Sequence, residues 1–287
     1  MKYCIGDTVV CINVEEQNLH SNFQAFRCDE SEEPQLTIDI VEEPEMTMNI
    51  QMTVGQIMLM ESEEIGVFEG AMGIDLLYPK NVQLTSIAIA KGYRSAKVYV
   101  VQDAEGKWKE ELFLALRDVI YLALEQNGRF VLDSSSLLVD GRGVILAADP
   151  NAEFAGICQG KQIGKILNDS ANIIGIYKER LYLYGTPWCS PEAVQAERAP
   201  LGGIVFLKKS DAGVVTDLPE DKRQLLMLVH CKSPFCREGL LDQCLNTIQR
   251  VEPSVWIRQL ESHADEAAAD VLKPALDTIE NDTVAEY

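Results

Sequence analysis

The chain has 287 residues, of which 47% are hydrophobic and 24% charged, and these proportions are typical of a folded protein rather than a disordered one. Its length suits two domains and allows a core that needs neither disulfides nor metal ions to fold. The 45 acidic residues outnumber the 25 basic ones, and the net charge of -20 repels nucleic-acid phosphates and anionic lipid surfaces. We therefore exclude nucleic acid and membranes as partners.

Targeting and redox signals are equally sparse. The N terminus has no apolar signal-peptide core, and no apolar run approaches the ~18 residues that span a bilayer. We therefore expect a cytoplasmic protein in which the eight cysteines are reduced thiols. Cys231 and Cys236 lie near His230 and could form one corner of a zinc site. Their spacing matches no zinc finger or ribbon, so free thiols are the preferred interpretation and no metal is predicted.

Residues 1–128 are predicted to form a β-rich, acidic accessory domain. Apolar and polar residues alternate in several short segments, which is the period of a half-buried strand. The acidic residues between Asp29 and Glu45 are interpreted as solvated strand faces and connections, with a docking surface for a basic partner as the alternative. The predicted strands are Thr8–Val14, Ser21–Arg27, Gln35–Val41, Met46–Met52, Gln56–Met60, Ile65–Val67, Leu84–Ala88 and Lys97–Val101.

A helix is predicted over Glu110–Gln126, because its apolar residues fall on one helical face and Gly128 follows as the expected stop. We place the domain boundary here, so that 129–287 forms the second domain. The turn Asp140-Gly141-Arg142-Gly143 predicts a β-hairpin at the start of that domain. Its predicted strands are Phe130–Val139, Gly143–Ala148, Lys165–Leu167, Ile173–Tyr177, Arg180–Tyr184, Leu201–Lys208 and Val255–Leu260. Its later predicted helices are Asp221–Cys231, Arg237–Arg250 and Asp265–Ile279, with a kink at Pro274.

Three segments of the second domain carry a resemblance to a known family. They read Ile166-Leu-Asn-Asp-Ser170, Leu181-Tyr-Leu-Tyr-Gly-Thr-Pro-Trp-Cys189 and Ala199-Pro-Leu-Gly-Gly-Ile-Val-Phe-Leu207. In this order the segments resemble the HPr kinase/phosphoenolpyruvate carboxykinase-like family, specifically its small serine-kinase-like members. The resemblance covers roughly residues 130 to 260. It implies an α+β or α/β fold in which a β-rich N-terminal domain precedes a mixed-sheet domain with flanking helices.

The same resemblance implies ATP and Mg2+ at a phosphate loop after the second hairpin strand, and phosphate transfer to a serine hydroxyl. Such a loop needs G-x-x-x-x-G-K-[ST], whose backbone N–H groups and lysine hold the phosphates. This chain instead has Asp149, Pro150, Asn151 and Glu153 at these positions. Asp149 and Pro150 indicate the start of a helix that runs to about Gln159. Carboxylates would therefore meet the nucleotide where the family supplies a cation.

The acidic pair of the family is also altered. Its Asn-Asp-Asp is Asn168-Asp169-Ser170 here, and Asp133 stands where the family commonly has histidine. Asp169 is open to two interpretations, a metal ligand or a turn residue. If the fold holds, Asp133, Asp149 and Asp169 lie near one another and form an acidic pocket. That pocket would attract a divalent cation or a basic side chain, but not ATP alone.

Other catalytic patterns are weak. None of His20, His230 and His263 lies in a Ser-His-Asp or Cys-His context, so each is interpreted as a surface or core histidine. Trp188 and Tyr184 are expected to pack in the core or a pocket wall rather than stack on a base. The segment from Gly156 to Lys161 contains a Gly-Lys pair, but it is interpreted as a helix end rather than a displaced phosphate loop.

Two hypotheses follow from these residues. In the first, the chain is a catalytically degenerate kinase-like protein, a pseudokinase, that needs no cofactor and acts as a protein- or peptide-binding scaffold. Its acidic surface favours a basic partner, and the resemblance also implies homo-oligomerisation, because members of the family often assemble. In the second, it is an active ATP- and Mg2+-dependent phosphotransferase on a peptide, protein or small molecule. Asp169 would then act as base, and Lys161 or Lys165 would supply the phosphate-binding cation.

Overall fold

The computed structural model describes residues 1–43, 57–61, 65–147, 152–232, 245–250 and 255–279. The predicted strand Met46–Met52 and part of the predicted helix Arg237–Arg250 therefore lie outside the described residues. Contacts divide the described residues into two compact units, the first comprising those from 1 to 128 and the second those from 129 to 232 and from 245 to 279. Each unit is built on a mixed β-sheet with few helices, so the fold is α+β.

The N-terminal unit contains one eight-stranded sheet in the order β1-β2-β3-β8-β7-β6-β5-β4. The pairs β2/β3 and β3/β8 are parallel, and the other neighbours are antiparallel. A 3-10 segment at Ser21–Phe26 stands where a strand was predicted. The strands are β1 (Lys2–Ile5), β2 (Thr8–Asn13), β3 (Leu36–Glu42), β4 (Ile57–Glu61), β5 (Gly66–Gly70), β6 (Gly73–Leu77), β7 (Leu84–Ala90) and β8 (Ser95–Val100).

Helix α1 (Trp108–Gln126) packs against β7 and β8 and is the main helix of this unit. Its side chains at Leu112, Leu116 and Ile120 are fully buried, which follows from apolar residues spaced to share one helical face. Gly128 follows with φ of 71°, a conformation that costs glycine little and ends the helix. The predicted helix is therefore confirmed, and it begins two residues earlier than expected.

The second unit contains a nine-stranded mixed sheet with a branch. Its main path is β12-β10-β11-β15-β14-β13-β9, and β17 joins β15 and carries β16 at its edge. Strand β15 pairs in parallel with β11 and β17 and antiparallel with β14. The strands are β9 (Phe130–Asp133), β10 (Ser135–Val139), β11 (Arg142–Ala147), β12 (Lys165–Asn168), β13 (Ala171–Tyr177), β14 (Arg180–Tyr184), β15 (Arg198–Lys208), β16 (Val214–Asp217) and β17 (Trp256–Glu261).

Successive side chains of the central strands pack alternately into two separate hydrophobic cores, one on each face of the sheet. Ile145 and Ile204 belong to a core shared with α3, whereas Leu146 and Val205 belong to a core shared with α2 and α5. Burial on both faces explains why these strands are almost continuously apolar. The helices of this unit are α2 (Ala152–Gly160), α3 (Glu220–Val229), α4, which comprises the helical residues 245–250, and α5 (Glu266–Leu276), which contains Pro274.

One predicted feature of this unit is confirmed and another is wrong. The predicted hairpin is confirmed by the pairing of β10 with β11. Its turn is shorter than predicted, because Arg142 and Gly143 already belong to β11, and the two turn residues Asp140 and Gly141 have positive φ. The single predicted strand Phe130–Val139 is wrong, because it is interrupted at Ser134. Its first part, β9, pairs with β13, while its second part, β10, pairs with β11 and β12.

Candidate functional site

The chain passes between the two halves of the second sheet at two adjacent crossovers. The first is Ser134, between β9 and β10, and the second is the turn Asp169-Ser170, between β12 and β13. The backbone joins the two crossovers, because the Ser134 amide donates to the Ser170 carbonyl at 3.2 Å. Strands that change sheets leave some backbone groups without ladder partners, and buried groups of this kind must be satisfied in another way.

A buried network of amide and hydroxyl groups fills the first crossover. Asn172 donates to the Ser134 carbonyl at 2.6 Å and to the Ser134 hydroxyl at 2.9 Å, and its Oδ1 accepts from the Ser136 hydroxyl at 2.6 Å. All three side chains are fully buried. The network carries no formal charge, so it can be buried at low electrostatic cost once every member has a partner.

Asn168 performs the corresponding role at the second crossover. Its Oδ1 accepts from the backbone amides of Ser170 and Ala171 at 3.0 and 3.1 Å, and its Nδ2 donates to the Thr186 hydroxyl at 2.9 Å. Thr186 in turn donates to the Ala171 carbonyl at 3.3 Å. The asparagine of the Asn-Asp-Ser segment therefore shapes the turn and ties it to the Tyr-Gly-Thr-Pro-Trp segment.

Asp169 also has a structural partner. Its Oδ1 accepts a hydrogen bond from the Ser190 backbone amide at 3.0 Å, which ties the crossover turn to the loop after Trp188. Burial, with a smaller contribution from the Asp169 carboxylate, raises the pKa of the nearby Cys189 thiol to about 12. The raised pKa favours the protonated thiol over the more reactive thiolate at neutral pH. Of the two interpretations of Asp169, the geometry favours the turn residue.

Asp133 lies at the exposed end of β9 and pairs with a cation. Its Oδ1 lies 3.0 Å from the Lys232 Nζ, and its backbone amide donates to the His230 carbonyl at 2.8 Å. The Lys232 amide donates in the same way to the Val131 carbonyl, so residues 230–232 run beside β9 as a short antiparallel segment. The lysine offsets the negative charge that the sequence placed here.

The predicted phosphate-loop positions are divided between described and undescribed residues. Asp149, Pro150 and Asn151 lie outside the described residues, as does the start of the predicted helix. Glu153 is exposed in the first turn of α2, while Phe154 and Cys158 point into the core shared with α5. The N terminus of a helix attracts negative charge, whether from a side chain or from a phosphate. In α2 the Glu153 carboxylate already supplies negative charge in the first turn.

The two lysines proposed as phosphate ligands have other partners. The Lys161 Nζ lies 3.1 Å from Asp270 and 3.3 Å from Glu266, both on α5, and these hydrogen bonds raise the pKa of the lysine. The Lys165 Nζ donates to the Gln195 side chain at 3.0 Å. Residues from Gly156 to Gly160 belong to α2, so the displaced-loop alternative does not arise.

Comparisons with known proteins add little to this geometry. No family model matches the sequence, and no curated protein matches it. Among solved structures, the chain is similar to the HPr(Ser) kinase/phosphatase from Coxiella burnetii, with 11% identity, a TM-score of 0.25, and coverage of 43% of this chain and 98% of that one. This likeness is too weak to transfer any residue role.

The remaining candidates lie in structural positions. His20 accepts from the Asn22 amide through Nδ1 and stacks on Phe113 at 4.2 Å, and His263 lies 2.6 Å from Asp211. Trp188 and Tyr184 are 5% exposed, as expected for residues of the core or a pocket wall.

Within the described ranges, no group of three or more His, Cys, Asp or Glu side chains could hold a metal ion. No described helix is long and apolar enough to cross a membrane.

Sequence reasoning missed the amide and hydroxyl network and the role of Gly185. A Cβ on Gly185 would lie 1.9 Å from the Gln195 carbonyl oxygen, so only glycine allows this approach. The Gln195 side chain donates to the Ile166 and Leu167 carbonyls at 2.8 and 3.1 Å and so closes the end of β12. The Gly in Tyr-Gly-Thr-Pro-Trp was a visible signal, whereas nothing in the sequence pointed to Gln195.

Proposed function

We propose that this chain is a catalytically degenerate, kinase-like protein that acts as a protein- or peptide-binding module rather than a phosphotransferase. The observation that carries the proposal is the segment after β11, where residues 147–154 contain Asp149 and Glu153 but no glycine, lysine, serine or threonine. A phosphate site needs converging backbone N–H groups and a cation. The kinase-like part of the proposal rests on the three segments between Ile166 and Leu207.

The partners of the two remaining aspartates support the same proposal. A base or metal ligand needs a carboxylate that faces substrate, but Asp169 holds the Ser190 amide and Asp133 pairs with Lys232. The two lysines that could replace the phosphate-loop lysine are engaged with α5 and Gln195. The net charge of -20 favours a basic protein or peptide as partner. Homo-oligomerisation, which the family resemblance implies, would have to bring like charges together.

Thermal unfolding with and without Mg-ATP tests the proposal. A ligand present at 100 times its Kd stabilises a protein by about 2.7 kcal/mol, and about 1 kcal/mol moves the melting temperature of a domain this size by roughly 2–4 °C. We expect no shift. A saturable rise of several degrees would contradict the proposal.

Transfer of labelled γ-phosphate to protein acceptors provides the second arm, with Asp169→Asn as the matched variant. An asparagine can still accept from the Ser190 amide through its side-chain oxygen, so we expect this variant to fold like the parent chain. We expect no transfer by either protein. Transfer that is present in the parent and lost in Asp169→Asn would establish the active phosphotransferase instead.

A further inference from the structure

A cluster of cations and tyrosines occupies one corner of the second unit, at the tip of the β13-β14 hairpin. The Arg198 guanidinium carbon lies 4.0 Å from the centre of the Tyr177 ring and 5.4 Å from that of Tyr182. The Lys178 Nζ lies 5.2 Å from the Tyr177 ring centre, and the two rings meet edge to face at 5.9 Å. These are distances at which cations and aromatic faces attract each other.

The strand register explains why these side chains meet. Tyr177 pairs with Arg180 across the hairpin, and Tyr182 pairs with Pro200 on β15. Residues that pair directly share a face of the sheet, so both tyrosines, Arg180 and Pro200 lie on one face. Arg198, two residues before Pro200, lies on that face as well. Arg180, Arg198 and Pro200 are exposed, and the tyrosines are half-buried.

The turn at the tip of the hairpin holds two charged residues in a strained backbone conformation. Lys178 and Glu179 both have positive φ, at 47° and 64°, in a two-residue hairpin loop. Asn-Gly and similar pairs fit this turn best, and side chains such as lysine and glutamate cost about 1 kcal/mol each. Strain of this kind, once observed, points to a functional use of the segment.

Charge contrast indicates the ligand. Among the described residues next to the cluster in sequence, the three cations Lys178, Arg180 and Arg198 outnumber the carboxylates of Glu179 and Glu197, on a chain whose net charge is -20. The hydrogen bond with Arg198, followed by the charge of Lys178, lowers the pKa of Tyr177, as expected in a locally positive field. We infer that this corner binds an acidic peptide segment of a partner protein. The ligand carboxylates pair with the three cations, and the tyrosines and Pro200 support its aliphatic stems.

The inference goes beyond the proposed function and uses no part of the nucleotide argument. At about 0.15 M salt the screening length is about 8 Å, so the ligand senses the corner but little of the overall negative charge. Binding should therefore be measured near this ionic strength and should weaken toward about 1 M salt.

Fluorescence anisotropy with a fluorescein-labelled octaglutamate peptide tests the inference on the full chain. We expect saturable binding of octaglutamate and none of octaglutamine. Arg198→Gln and Lys178→Gln should each weaken binding, and together by about tenfold or more, because close charge pairs at interfaces carry energies of this order. Arg94→Gln removes another exposed positive charge, from the other unit, and should leave binding unchanged.

Four results would overturn the inference. The first is that octaglutamate fails to bind the parent chain, and the second is that Arg94→Gln weakens binding as much as Arg198→Gln does. The third is that oligo-dT binds more tightly than octaglutamate. The fourth is that sedimentation shows the parent chain to be an oligomer that Arg198→Gln dissociates. The last two would assign the corner to a phosphate ligand or to self-association. Melting temperatures of the variants within about 2 °C of the parent would show that the fold is intact, and Lys178→Gln, on an exposed turn, provides the test if Arg198→Gln unfolds.

Discussion

At the scale of single residues, Gly185 makes the most specific claim about stability. We expect Gly185→Ala to lower the free energy of unfolding by about 3 kcal/mol or more, because the added Cβ would lie 1.9 Å from a backbone oxygen that cannot rotate away. Gly156→Ala is the matched control, since its Cβ would meet nothing within 4 Å. In the exposed helical position of Gly156, alanine should stabilise by about 1 kcal/mol. Urea denaturation measures both, and equal stability of the two variants would show that the close approach of Gly185 is wrong.

The residue scale also shows where sequence reasoning ends. The sequence revealed that Asp169 stands alone where the family that it resembles has a pair, but not that its carboxylate accepts from Ser190, 21 residues away. Such a bond depends on how two loops meet, and no local period encodes that. The Asp211 partner of His263, 52 residues away in the chain, was hidden from the sequence for the same reason.

At the scale of elements, the β13-β14 hairpin combines a strained turn with a cluster of charges. We expect Glu179→Gly to raise the free energy of unfolding by about 1 kcal/mol, because glycine adopts a φ of 64° without a Cβ clash. Binding of octaglutamate should persist in this variant, since Lys178 and Arg198 remain. Glu192→Gly, at an exposed position of a 3-10 segment without positive φ, should be neutral or slightly destabilising. Destabilisation by Glu179→Gly would contradict the strained turn.

The periodic spacing of hydrophobic residues predicted most helices and strands, but not which strands pair. Helix α1 and the Asp140-Gly141 hairpin follow from apolar spacing and turn chemistry, which are local properties. The break at Ser134 could not be predicted, because the apolar residues on its two sides form one continuous strand pattern. Only the long-range pairing of β9 with β13 and of β10 with β11 separates them. Three short strands, β1, β6 and β16, were not predicted at all. The reason is related, because isolated short segments carry little periodic signal.

At the scale of the whole molecule, charge is the dominant feature. A net charge of -20 repels polyanions over most of the surface. The proposed function adds that residues 147–154 contain no lysine or arginine to offset the charge of a nucleotide. The two compact units differ in local charge. The N-terminal unit contains the acidic segment that begins at Asp29, and the second unit contains the cluster of Lys178, Arg180 and Arg198. Separate partners for the two kinds of surface are the expected consequence.

Calorimetric titration of Mg-ATP into the full chain tests the central claim most directly, because it detects binding whether or not catalysis follows. We expect only heats of dilution up to nucleotide concentrations of about 1 mM, the upper end of typical substrate KM values. A saturable heat with a stoichiometry near one nucleotide per chain would show that the carboxylates after β11 do not exclude phosphate, and would contradict the account of a degenerate site.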